Sequence, residues 1–455
     1  MMLKVILYGY LCNIYSTRGL EEDMKRDVHM MWLSSFQRPD HTSISRFKTR
    51  CMPFIKGIFS QLVQILVERG EVELSKELYI DGTTIRSRAA RYKIKWRKNA
   101  EKYGAKADDN LQEALRDLQN QIEEGVSNDN SNAPSVRRTP QDAYRIAKKI
   151  EESIGDKNDR KSQSIRSKIR KVRETANRKE EHDRTLAACG DRCGVAPTDP
   201  DCGIMHAKED GYESNPTPNY NVQAATQGQY VTNYDVFDTP NDSATALDFI
   251  DTCIDENGIK PQAVVEDAGY GCEEVYDGLE RLGIEAVVKY PGYDREKSRR
   301  SHKEGVYDKR DFILTNDGKG LLCPAGHTMR ITRVQTDYSK RGFRSDTTHF
   351  TCDHCQGCPF KELCAVTTNK NHEIGRKLGN MRQERKAKQR LDKPLNQQRL
   401  KRRSLEPEPV FGQLKHNQRY TKFRHFSKPK VVMDLGFMLI SLNLRKLYRN
   451  TVKTA

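Results

Sequence analysis

"PQAVVEDAGYGCEEVYDGLERLGIEAVVKY" (residues 261–290) decides the fold class. Its apolar run "AVVE" reads as a buried strand that stops at the tight turn "DAGYG". "CEEVYDGLERLG" then carries helical apolar spacing and closes on a glycine, and "IEAVVKY" is a second buried strand. Just upstream, "NYNVQAATQ" (219–227) and "YVTNYDVFD" (230–238) read as neighbouring strands. "SATALDFIDTCIDENG" (243–258) reads as a helix ending at Gly258. Strands alternating with helices in this way predict an α/β domain.

The flanking regions differ. Residues 1–70 look all-helical, and the basic segment "SRFKTR" within them suits either a helix-turn-helix-like unit or a plain helical bundle. "KELYID" (76–81) reads as a short strand ended by Asp81, with Asp-Gly either a turn pair or a site. "TIRSRAARYKIKWRKNAEKYG" (84–104) is strongly basic with aromatic residues interleaved. That composition suits phosphate contacts and base stacking, with Arg91, Lys95 and Trp96 as candidates, or else a solvated helix face. Residues 105–185 read as a charged helical hairpin or an extended arm, with a flexible tip at "GVSNDNSNAPSVRRTP", and residues 291–375 as a loop-rich segment holding cysteines. A very basic run follows over 376–403, and "VVMDLGFMLISLNLRKLY" (431–448) predicts an apolar terminal helix packed on the core.

The 455 residues suffice for two or three domains with a buried core, and 36% hydrophobic content excludes a wholly disordered chain. A net charge of +16, from 79 basic against 63 acidic residues, points to a polyanionic partner. The apolar start, "MMLKVILYGYLCNIYS", is too short to span a bilayer and lacks a cleavage-type tail, so it predicts a core helix. No membrane span and a cytoplasmic location are expected. Among 12 cysteines, Cys352, Cys355, Cys358 and Cys364 are spaced C-x2-C-x2-C-x5-C, with Cys323 upstream in "CPAGH". Thiolates so spaced suit a structural Zn2+ site in a reducing compartment. Cys352, Cys355 and Cys358 are too close together to share one ion easily, so Cys323 is an alternative to Cys352. Reduced thiols in a loop are the other reading.

Asp81 and Asp267 both end predicted strands, where α/β sheets form their sites. Two such carboxylates, completed by a third from a late helix, would hold divalent metals for phosphoryl transfer. "SLEPEPVFGQLKHN" (404–417) offers Glu406 and Glu408 for that role. At about 100° per residue, Gly412 and Lys415 return to the face of Glu408, while Glu406 lies nearly opposite. Pro409 disturbs the helical geometry of the residue before it.

The segments "YIDGTTIRSRAARY", "NYNVQAAT", "VVEDAGYG", "CQGCPFKELC" and "RRSLEPEPVFGQLKHNQRYTKFRHF" together resemble bacterial insertion-sequence transposases of the DDE class. "SFQRPDHTSISRFKTR" resembles the N-terminal domain of the same group. The resemblance implies a ribonuclease-H-like α/β core with an all-α N-terminal domain over 1–70. The catalytic domain would span 76–455, with a helical insertion at about 105–185 and a cysteine-rich insertion at about 291–375. It also implies that Asp81, Asp267 and Glu408 hold Mg2+ or Mn2+, and that the chain cleaves at transposon ends and transfers strands to target DNA. Terminal inverted repeats, target DNA and a second copy of the chain would be its partners, with Lys415, Arg402 and Arg403 on DNA phosphates. Relatives carry further residues ahead of the segment that begins here, so a truncated N-terminal unit is expected. A non-mobile nuclease of the same fold, or a catalytically dead DNA-binding relic, would share most of these features.

Overall fold

The computed structural model describes residues 1–123, 137–156, 159–206, 215–297, 307, 312–315, 319–364 and 372–454. Five helices open the chain: α1 (Met2–Leu11), α2 (Thr17–Asp23), α3 (Val28–Leu33), α4 (His41–Cys51) and α5 (Ile55–Glu68). Asp27 and Asp40 cap α3 and α4 by accepting backbone N–H bonds from Met30 and Ser43. By length and composition alone, the stretch His41–Glu68 is apolar enough to cross a membrane. A short 3-10 turn at Met52–Phe54, carrying Pro53, separates α4 from α5, and both helices contribute to the protein core.

Strand β1 (Glu77–Arg86) follows, then β2 (Lys95–Trp96) and the helices α6 (Arg97–Glu123), α7 (Pro140–Ile154) and α8 (Arg160–Cys189). These three helices form an arm with its own core of Leu111, Leu115, Leu118, Ile169 and Val172. Among the described residues the region is an arm of three helices rather than a two-helix hairpin, and most of its predicted flexible tip lies outside those residues.

The central sheet uses β1, β4 (Gly203–Met205), β5 (Thr217–Gln227), β6 (Tyr230–Phe237), β7 (Ala263–Glu266) and β8 (Glu285–Val288). A short β3 (Gly194–Val195) pairs with β2 instead. The path runs β6-β5-β1-β7-β8, with β4 beside the start of β5. The β6–β5 and β5–β1 pairs are antiparallel, while β1–β7 and β7–β8 are parallel. Helices α9 (Asp242–Asn257) and α10 (Glu273–Leu282) connect the later strands, as the alternating pattern predicts.

After α11 (Tyr293–Lys297), the cysteine region is a second, antiparallel sheet rather than loops. It comprises β9 (Ile313–Leu314), β10 (Gly320–Leu322), β11 (Thr328–Tyr338), β12 (Arg344–Cys352) and β13 (His372–Lys377). Its apolar content is small, with Leu321, Met329, Phe350 and Ile374 at the centre, which is why hydrophobic patterning reads as loop there. The basic run resolves into α12 (Leu378–Leu391) and α13 (Pro394–Arg403). Then come the short α14 (Pro407–Gly412), a π-helical turn (Gln413–Asn417) and the long α15 (Lys428–Thr454).

Two cores result. One joins α1–α5 and α15 to β5 and β6 through Tyr10, Phe59, Val222, Tyr234 and Phe437. The other joins α9, α10 and α12 to β7 and β8 through Phe249, Val264, Leu279, Val287 and Leu391. Within the first, Asp434 of α15 is fully buried and accepts hydrogen bonds from Tyr10, Tyr420 and, at 3.3 Å, the Lys48 ammonium. Burial pushes the Asp434 carboxyl up, but Lys48, His425 and the two phenols outweigh it and hold the group below its ordinary range. This buried ion pair ties the N-terminal helices to the last one.

Candidate active site

The parallel pairing of β1 and β7 fixes where two acids meet. Tyr79 pairs with Val265, and Asp81 and Asp267 each lie two residues further along their chains. Side chains on a strand alternate faces, so that offset brings both carboxylates to one face at adjacent positions. Asp267 follows the end of β7, as expected. Asp81 does not end its strand, because β1 continues through Arg86. "DGT" is therefore not a turn. Gly82 opposes Gln223 across the antiparallel pair, and a Cβ there would overlap Gln223 Nε2 and Asp242 Oδ1. The glycine is needed for close approach within a strand.

The turn after β7 is built similarly. The Gly269 N–H donates to Asp267 Oδ1 at 2.7 Å and so orients that carboxylate. Tyr270 is fully buried and donates its hydroxyl to Gln223 Oε1. At Gly271 a side chain would strike the Lys289 carbonyl and Tyr290. "DAGYG" is thus one structural unit that presents a single carboxylate.

Glu408 lies in the first turn of α14 and is more than half exposed. Glu406, at the N-cap position, turns elsewhere. Its carboxylate accepts the Gln229 backbone N–H at 2.7 Å, and Gln229 Nε2 donates to the Leu405 carbonyl at 2.9 Å. Burial pushes the Glu406 carboxyl up despite that bond. One glutamate therefore anchors the helix to the β5–β6 turn, and the other faces outward. A Cβ on Gly412 would meet nothing within 4 Å, so the surface beside Glu408 is open.

Arg403 connects the three acids. Its Nη2 lies 3.1 Å from Asp81 Oδ1 and 3.2 Å from Asp267 Oδ2, and its Nη1 lies 3.8 Å from Glu408 Oε1. The guanidinium is only 11% exposed, and its Nε is buried with no hydrogen-bond partner. Helix α13 is held against the sheet by Arg399, one turn earlier, which pairs with Glu285 at 2.8 Å and Glu77 at 3.7 Å at the starts of β8 and β1. Arg402 is 68% exposed and reaches Glu77 at 3.7 Å. The two neighbours proposed together for DNA phosphates thus differ: Arg402 faces solvent and Arg403 lies among the carboxylates.

The remaining candidates are spread more widely. Lys415 is half-buried in the π-helical turn that continues α14. Arg91 is exposed beside the Tyr92 ring, Lys95 pairs with Glu181 at 2.6 Å, and Trp96 is half-buried. Cys323, Cys352, Cys355, Cys358 and Cys364 line one cavity with His327 and His354. The Cys323 sulfur accepts the His327 N–H at 3.3 Å.

The sequence reading missed a polar layer behind the acids. Asn221 and Gln223 both donate to Asp242 Oδ1 at 2.8 Å. Asn219, Asn221 and Gln223 are buried at every second position of β5, a polar alternation visible in "NYNVQ". Glu266, also missed, is fully buried with neither carboxylate oxygen hydrogen-bonded. Burial, then the charges of Asp267 and Asp242, push its carboxyl far above the ordinary range.

Three acids around one cation form a donor set suited to a hard divalent ion. Among the described residues, no three acidic, histidine or cysteine groups are spaced to chelate an ion as they stand. The carboxylates converge on Arg403 instead, so a positive group already fills the place where they meet.

Two family models match the chain. The transposase DDE domain matches residues 322–448, which include Arg402, Arg403, Glu408 and Lys415. The transposase domain DUF772 matches residues 1–50. No curated protein matches. With a DDE domain matched towards one end and a transposase domain at the other, the matches indicate an insertion-sequence transposase of the DDE class.

Proposed function

We propose that Asp81, Asp267 and Glu408 hold the divalent cations on which this DNA transposase depends. The observation that carries this reading is their convergence on a single guanidinium. Bound Mg2+ or Mn2+ supplies Lewis-acid stabilisation and an activated water or 3′-hydroxyl for in-line phosphoryl transfer. The chain itself supplies placement. Asp81 is set within a paired strand, Asp267 is aimed by the Gly269 N–H, and Glu408 is presented on the open side. No protein nucleophile is required. Lys415, on the turn that continues α14, Arg402, on α13, and Arg91, Lys95 and Trp96, near the root of the helical arm, are read as contacts to the DNA.

The strand order β6-β5-β1-β7-β8, three antiparallel strands followed by two parallel ones, supports a ribonuclease-H-like core. In this reading, residues 1–70 are the N-terminal transposase domain and 76–455 the catalytic domain. The arm at about 105–185 and the cysteine-bearing segment at about 291–375 are insertions. Five thiols line one cavity, and although no three are spaced to chelate an ion as they stand, that lining supports reading a structural Zn2+ in the second insertion, around which they would close. Purified chain is then expected to carry one zinc per molecule and to lose it in Cys355→Ser or Cys358→Ser. The enzyme would act in the cytoplasm, as a homodimer pairing two terminal inverted repeats for transfer to target DNA.

The test is cleavage of a plasmid carrying the element's ends, in Mg2+ or Mn2+. Asp81→Asn, Asp267→Asn and Glu408→Gln are each expected to abolish cleavage and strand transfer while far-UV circular dichroism and DNA binding are retained. Undiminished cleavage by all three variants would refute the assignment.

A further inference from the structure

We propose that Arg403 is a built-in counter-ion that opposes metal binding, so that the acid site loads divalent cations only when this guanidinium gives up the aspartates. The proposal rests on the reading of Asp81, Asp267 and Glu408 as the metal-holding acids. One nitrogen of Arg403 is within hydrogen-bonding distance of both aspartates, and the other reaches towards Glu408. The cation is buried, so its attraction to the acids is weakly screened. A divalent ion entering among these oxygens would meet that positive charge directly. Either the guanidinium moves away or the ion binds against its repulsion.

The surroundings show why the guanidinium can leave. The Arg403 guanidinium reaches three acids, and its Nε, like that of Arg399, is buried without a hydrogen-bond partner. Arg399, one turn earlier on the same helix, differs in its partners and not in its Nε. It bonds Asn396 and pairs with Glu285 and Glu77, anchoring α13 independently of Arg403. The Arg403 side chain can therefore change partners while its helix stays in place. The acids also need a cation: with Glu266 and Asp242 close by, the cluster carries more carboxyl groups than basic ones. In the metal-free protein, Arg403 limits repulsion between Asp81 and Asp267 and keeps them together. It acts on the reaction through the carboxylates and is a positioning residue.

The test is Mn2+ binding to the whole 455-residue chain without DNA, followed by the loss of the free-ion electron paramagnetic resonance signal. Arg403→Gln removes the charge and is expected to tighten Mn2+ binding about tenfold or more, whereas Arg403→Lys, which keeps the charge, stays close to the parent. Equal or weaker Mn2+ binding by folded Arg403→Gln would overturn the proposal. Thermal unfolding supplies a second reading: Mn2+ is expected to raise the melting temperature of Arg403→Gln more than that of the parent, and an equal or smaller rise counts against the proposal. Adding Asp81→Asn to Arg403→Gln separates the two levels. Loss of the tightened binding keeps the ion at the acid site. Tight binding that survives in the double variant would mean that the acids are not the metal ligands, and the underlying reading itself would fail.

Discussion

Two buried clusters in this chain pair the same kinds of groups in opposite proportions. Around Asp434, one carboxylate is surrounded by Lys48, two tyrosine hydroxyls and His425. Around Arg403, one cation is surrounded by Asp81, Asp267 and Glu408, with Glu266 nearby. The first has donors enough for its acid and joins helices at the two ends of the chain. The second has more acids than cations, a poor arrangement for stability and a good one for capturing a divalent ion. That imbalance, more than burial, separates the structural ion pair from the cluster proposed to hold metal.

The largest expected effects lie in the acid cluster. If each carboxylate holds metal as proposed, Asp81→Asn or Asp267→Asn is expected to slow DNA cleavage by about a thousandfold or more, a loss of several kcal/mol of transition-state stabilisation. Stability, measured by denaturant unfolding, should change little. The opposite pattern is expected at the other cluster. Lys48→Met leaves Asp434 buried without its cation and is expected to cost about 3–5 kcal/mol, a loss that Mg2+ does not restore. If Mg2+ rescued Lys48→Met, the distinction between the clusters would collapse.

The two buried acids also predict opposite responses to pH. The Asp434 carboxyl is depressed in the folded chain, so its contribution is fully present above its ordinary titration range and is lost as pH falls through the lowered value. Asp434→Asn should flatten the acid side of the stability profile. The Glu266 carboxyl is raised, so the folded state loses stability as pH climbs above the ordinary carboxylate range. Glu266→Gln should remove that loss and leave the variant relatively more stable at pH 8 than at pH 5. Urea titrations at both pH values check the two signs.

The smallest effect is expected at Glu406, and it is read against its neighbour Glu408. Glu408→Gln is expected to abolish cleavage. Glu406→Gln should weaken the anchor to Gln229 by about 1 kcal/mol and leave most of the cleavage rate. Comparable loss of cleavage in both would blur the assignment of Glu408.

Much of this arrangement was legible before the structure. Strand-helix-strand alternation over 261–290 is strong because β7 and β8 are buried on both faces and α10 is amphipathic. The separation of Glu406 from Glu408 followed from helical angles, and the π-helical turn begins only after Gly412. The cysteine-region sheet was not legible, since β11 is exposed along nearly its whole length and carries no apolar alternation. Asp-Gly at 81–82 looked like a turn because the crowding from Gln223 and Asp242 comes from segments more than a hundred residues away. The position of Arg403 was hidden for the same reason. In a run of basic residues, only the i, i+4 spacing of Arg399 and Arg403 marks the buried side, and nothing local says which face that is.

The central claim is most directly tested by a crystal structure of the chain soaked in Mn2+, read by anomalous scattering. The account predicts manganese density bounded by Asp81, Asp267 and Glu408, with the Arg403 guanidinium moved off the aspartate oxygens. Manganese bound elsewhere, with Arg403 still bridging the two aspartates, would contradict it.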